Sequence, residues 1–114
     1  MATDIEKRQQ PRVDVRLPIV MLCYHGRLEG VARNISCSGM FIRSEEPLNK
    51  DEYLRLAFEP PQSKPIWVSG DVVWTASVES GRTTNAFSSG FSFAKITDAD
   101  RDLLKNWLNG QMTH

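Results

Sequence analysis

The sequence predicts an all-β domain closed by one terminal helix: a six-stranded antiparallel β-barrel, a C-terminal α-helix packed on it, and a flexible N-terminal arm. Three observations carry this prediction. Six short segments between residues 17 and 96 are rich in strand-favouring residues. Gly and Pro signals separate them at short intervals. A single amphipathic segment follows over 97–110, and strands in series with one helix define a small barrel.

Residues 1–16 are polar, broken by Pro11 and without a sustained period, which predicts a mobile arm able to order on binding. Leu17 to Tyr24 reads as the first strand, ending at the turn His25-Gly26. Arg27 to Ile35 forms the second, with Leu28, Val31 and Ile35 as its apolar members. Met40 to Arg43 is a short third, and Tyr53 to Phe58 a fourth, stopped by Pro60, Pro61 and Pro65.

Ile66 to Trp74 gives a fifth strand in which Gly70 marks a bulge. After the turn Glu79-Ser80-Gly81-Arg82, a sixth spans Asn85 to Phe93, with Phe87, Phe91 and Phe93 on one face. Thr97-Asp98-Ala99-Asp100 has the pattern of a helix start, Thr97 being the N-cap. Leu103, Leu104, Trp107 and Leu108 then form the stripe that packs on the barrel, and Asn109-Gly110 supplies a stop. A chain of 114 residues holds one such domain and no second core.

Composition excludes several classes. The longest apolar run, Leu17 to Tyr24, is too short for a membrane span, and the N-terminus lacks a signal peptide's apolar core. A cytoplasmic protein is expected. Cys23 and Cys37 have neither the number nor the spacing of a zinc site or a disulfide scaffold, and their neighbours predict buried thiols. The net charge is zero, which argues against non-specific binding to long nucleic acid. Charge is nevertheless uneven: residues 1–43 hold seven Lys or Arg against four Asp or Glu, and the remainder seven against ten. A basic N-terminal third suits a small anionic ligand.

Two motifs bear on function. Asn34-Ile35-Ser36-Cys37-Ser38-Gly39 places two compact polar side chains two residues apart, with a glycine three residues later where the backbone must turn or be approached closely. By itself this reads more simply as an Asx turn in which Asn34 and Ser36 serve their own backbone. Upstream, Arg8 and Arg12 form an Arg-x-x-x-Arg pair, a pattern that Arg12 and Arg16 repeat and that nine arginines produce by chance. The combination is stronger than either part. Antiparallel pairing of strands one and two brings the arm beside the corner, so both motifs share one end of a hairpin.

With these residues the sequence resembles the PilZ domain, the bacterial receptor module for cyclic di-GMP. The resemblance spans nearly the whole chain: Arg8 and Arg12, the Asn34, Ser36 and Gly39 corner, the Trp-bearing fifth strand, and Gly90-Phe91-Ser92-Phe93 before the helix. The family places its arginine pair several residues before the first strand, which selects Arg8 and Arg12 over Arg12 and Arg16. It allows Asp or Asn at the first corner position, which Asn34 satisfies.

The resemblance implies a cyclic di-GMP site of Arg8, Arg12, Asn34, Ser36 and Gly39, with Lys7 and Arg33 as flanking contacts. Guanidinium groups match guanine O6 and N7 or grip phosphate. The Asn34 amide oxygen would accept from guanine N1 and N2, the Ser36 hydroxyl would bond a base or phosphate oxygen, and Gly39 would let the ligand lie against the backbone. It further implies an unidentified downstream protein partner and control of motility, biofilm formation or a related process.

Three alternatives compete with this expectation. A ligand-independent PilZ-like module for pilus assembly or motility keeps the fold and drops the nucleotide. An enzyme is poorly supported: His25 and His114 are the only histidines, no catalytic set can be built from spacing, and no metal is expected. A single-strand nucleic-acid barrel has suitable aromatics, but Trp67, Trp74, Phe87 and Phe91 read more simply as core and no basic groove accompanies them.

Overall fold

In the computed structural model, residues 12–24, 26–80 and 83–112 are described. Six strands run in the order β1 (Val13–Cys23), β2 (Gly26–Ile35), β3 (Gly39–Ser44), β4 (Tyr53–Phe58), β5 (Ile66–Ser80) and β6 (Thr83–Lys95), followed by the helix α1 (Asp98–Met112). All neighbours are antiparallel, and the sheet closes as β1-β2-β3-β6-β5-β4. Pairing of β1 with β4, from Ile19 opposite Phe58 to Leu22 opposite Arg55, completes the barrel and leaves it without a free edge there.

Alternation of side chains builds the interior. Ile19 and Met21 of β1, Ile42 of β3, Leu54 and Leu56 of β4 and Val68 of β5 are all buried and meet inside the barrel. The β1–β2 turn passes through Gly26 at φ 126°, a left-handed conformation that costs a side-chain-bearing residue much more than it costs glycine. His25 lies outside the described residues.

At the other end, α1 packs on β5 and β1 through Leu104 and Leu108, which are buried, and Leu103 and Trp107, which are half-buried. Thr97 caps it as expected, its Oγ1 accepting from Asp100 N at 3.1 Å. Asp100, at the third helical position, turns its carboxylate towards the barrel: Asp100 Oδ2 accepts from Trp67 N at 3.3 Å, tying the helix start to β5.

Boundaries differ from the sequence expectation in three places. The first strand starts at Val13, not Leu17, because Val13 and Asp14 already pair with Ile35 and Asn34; residues 13–16 therefore belong to the barrel, and the expected arm is left to residues 1–11, outside the described residues. The fifth and sixth strands run on to Ser80 and back from Thr83, as a two-stranded ribbon beyond the reach of β3 and β4. Thr75, Ala76 and Ser77, which lie beyond the pairing of β5 with β4, are all exposed, so no apolar alternation marks this part of the strand in the sequence. Finally, α1 runs through Gly110 to Met112, since Gly110 does not adopt the left-handed angle of a helix stop.

The bulge expected at Gly70 is present, as a register shift between Ser69 and Gly70 against β6. Among the described residues no helix is long and apolar enough to cross a membrane.

Candidate functional site

The corner between β2 and β3 is a tight, self-satisfied turn. Ser36 N donates to Gly39 O at 2.9 Å, Ser38 N donates to Ser36 Oγ at 3.2 Å, and Ser36 Oγ approaches Gly39 O at 3.4 Å. Ser36 is 1% exposed, so the hydroxyl expected to meet a ligand is engaged in shaping the backbone. The turn is bound to the last strand by Phe93 N donating to Ser38 O at 2.9 Å.

Gly39 is required by close approach. Its backbone angle is unexceptional, but a Cβ there would stand 2.5 Å from the Phe91 carbonyl oxygen on β6. Glycine lets β3 and β6 lie against each other at the site's base. Cys37, expected to be buried, is exposed, because the connection between the strands turns its side chain out to solvent; Cys23 is half-buried.

Arg12 immediately precedes β1, and Asp14 pairs with Asn34 across the first two strands. Arg12 Nη1 donates to Asn34 Oδ1 at 3.0 Å, across 22 residues of sequence. One residue from each motif thus meets the other at a single corner. The remaining guanidinium donors of Arg12, which is exposed, have no hydrogen-bond partner among the described residues. Asn34 is half-buried, and the amide oxygen expected to read guanine already accepts from Arg12.

Arg33 sits where β2 loses register against β3, between Ala32 and Asn34. It is half-buried, and its Nε is buried with no hydrogen-bond partner among the described residues. Lys7 and Arg8 lie outside the described residues.

Phe41, Trp74 and Gly90 join this corner without belonging to either motif. Trp74, expected in the core, is 38% exposed, and Val73 beside it is 45% exposed. The reason is a register shift between Val72 and Trp74, which reverses the inward parity of Val68 and Val72. Trp67, also expected in the core, is only half-buried, opposite in parity to Ile66 and Val68. The Trp74 indole lies on Gly90, where any Cβ would run into it, and its ring is 5.0 Å from that of Phe41 at 52°.

Arg12, Asn34, Gly39, Phe41, Trp74 and Gly90 line a cleft of about 370 Å³. It offers guanidinium and amide donors on one side and an aromatic face on the other. A larger groove of about 840 Å³ between the proline-rich loop and α1 gathers none of the motif residues. Among the described residues, no group of three His, Cys, Asp or Glu side chains is placed to hold a metal ion.

A closed six-stranded barrel with one C-terminal helix is also what comparison with known proteins finds. The family model of the PilZ domain matches residues 6–110, and the chain belongs to the PilZ domain family. The PilZ domain of Escherichia coli YcgR, solved with c-di-GMP, superposes with a TM-score of 0.75 at 12% identity, over 92% of this chain and 91% of that one. The K. pneumonia MrkH–c-di-GMP complex gives 0.74 at 15% identity, over 90% of this chain and 50% of MrkH. The Bacillus subtilis inhibitor of motility, MotI/DgrA, gives 0.71 at 20% identity, over 93% and 51%. The chain therefore spans about half the length of MotI/DgrA and MrkH. No curated protein matches.

Proposed function

We propose that this PilZ domain is a non-enzymatic receptor for cyclic di-GMP. The observation that carries the reading is the Arg12–Asn34 hydrogen bond, which joins the two motifs at the mouth of a cleft with an aromatic wall. Phosphodiester and guanine O6 and N7 are acceptors, matched by the free donors of Arg12 and by a second guanidinium from Arg8, with Lys7 and Arg33 flanking. Ser36 and Gly39 act by holding the corner in shape, and Trp74 offers a face on which a base or ribose can lie. YcgR and MrkH, which share the fold, are described as c-di-GMP complexes, which favours the same ligand here.

The segment carrying Lys7 and Arg8 folds over the bound nucleotide, so that free and bound states differ in the surface shown to a protein partner. The reading places the protein in the cytoplasm, with motility or biofilm formation as the controlled process.

The test is a ¹H–¹⁵N NMR titration with cyclic di-GMP. The amides of Asn34, Gly39, Gly90 and Ser92 and the Trp74 indole N–H should shift, while those of the β1–β2 turn at the far end stay in place. Shifts scattered over the barrel, or none, would remove the cleft from consideration and leave a ligand-independent interaction module.

A further inference from the structure

Asn34 presents an unusual polarity to the cleft. A guanidinium can only donate, so the 3.0 Å bond from Arg12 Nη1 fixes the amide with Oδ1 towards Arg12. What remains for a ligand is the Nδ2 amino group, with two donors, and one further lone pair on Oδ1. A carboxylate in this position would offer acceptors alone.

The two groups read purines differently. Guanine presents the adjacent donors N1–H and N2–H, with O6 as an acceptor beside them. Adenine presents the N1 acceptor beside the N6–H donor, and both bases carry N7. A carboxylate matches guanine's two donors and sets lone pair against lone pair at adenine N1, so it selects guanine largely by rejecting adenine. An amide showing a donor beside an acceptor is matched by N6–H with N7 or N1 of adenine, and equally by N1–H with O6 of guanine. The repulsive element is missing.

Neighbouring features do not restore it. The Trp74 face beside Asn34 is tolerant of base identity, because every base has a π-surface. Asn34 is also neutral, and Arg12 has no ion-pair partner among the described residues, so the phosphodiester common to all cyclic dinucleotides is attracted alike. Discrimination is left to the guanidinium forks, which favour O6 with N7 by about ten- to a hundredfold.

We propose that the Arg12-anchored Asn34 amide makes the cleft tolerant of both purines, so that the mixed cyclic GMP–AMP dinucleotide, and more weakly cyclic di-AMP, bind alongside cyclic di-GMP. This rests on the receptor reading and deepens it by assigning base selectivity to residue 34.

The test is calorimetric titration of the wild type and of Asn34→Asp with cyclic di-GMP, 3′,3′-cyclic GMP–AMP and cyclic di-AMP. The readout is the ratio of affinities, since a carboxylate also strengthens the contact with Arg12 and that competition is common to all three ligands. Wild type should bind the mixed dinucleotide within about a hundredfold of cyclic di-GMP, and Asn34→Asp should widen the gap by a further tenfold or more. Asn34→Ser, whose hydroxyl both donates and accepts, should keep the ratio near that of wild type and serves if the charged variant does not fold. Equal ratios in wild type and Asn34→Asp, or wild-type discrimination beyond about a thousandfold, overturn the inference. If none of the three nucleotides binds, the receptor reading itself has failed.

Discussion

Gly39 and Ser36 show how a corner that looks built for a ligand is first built for the backbone. The Gly39 Cα faces the Phe91 carbonyl so closely that a methyl group would stand 2.5 Å from the oxygen. Gly39→Ala should therefore force β3 off β6 and destabilise the domain by about 1–3 kcal/mol, read as a lower urea midpoint with an unchanged slope. Ser36→Ala removes a buried hydroxyl that accepts from Ser38 N, and should cost about 1 kcal/mol. A stability equal to wild type in both variants would contradict these backbone roles. The sequence pattern alone cannot divide them, because an Asx-type turn and a ligand corner use the same residues for the same reason: compact side chains that hydrogen-bond locally. Nor can it show that the Asn34 oxygen is engaged by Arg12, since that bond spans 22 residues and depends on the register of two strands.

Among the elements, α1 and the β5–β6 ribbon separate what is legible in the sequence from what is not. The helix is legible because its signals are local: Thr97 accepts from Asp100 N at 3.1 Å, and the Leu103, Leu104, Trp107 and Leu108 stripe meets the barrel. Its end is misread because a glycine suggests a stop that the backbone does not make. Gly110 is in helical conformation, and a methyl group added to it would meet nothing within 4 Å. Gly110→Ala should therefore stabilise the domain by up to about 1 kcal/mol, whereas Thr97→Ala should destabilise it by about 1 kcal/mol. Thermal unfolding midpoints moving in opposite directions would verify both; a fall on Gly110→Ala would contradict the open environment. Trp74 reads as core because period-2 alternation carries Val68 and Val72 inward, and a single register shift after Val72 sends the next residues to the surface. Bulges leave no dependable mark in one sequence, and here one of them supplies the cleft's aromatic wall.

The whole molecule explains why motifs so far apart share a site. Barrel closure fixes β1, β2, β3 and β6 side by side, so the start of β1, the end of β2 and the middle of β6 meet at one mouth. The hairpin implied by the sequence anticipates the first two strands, and Val13 does face Ile35. Nothing in it anticipates β6, because sequence order does not say which late strand returns beside β3. Arg12 stands on the rim of this mouth and is exposed, so the barrel's stability does not depend on its guanidinium. Binding and folding are therefore separable, and calorimetric titration of wild type, Arg8→Ala and Arg12→Ala with cyclic di-GMP tests the receptor reading most directly. The expected result is saturable heat for wild type, affinity at least tenfold weaker or lost in each variant, and thermal unfolding within about 2 °C of wild type for all three. Wild-type affinity in Arg12→Ala, or no heat from the unaltered protein at high concentration, would contradict it.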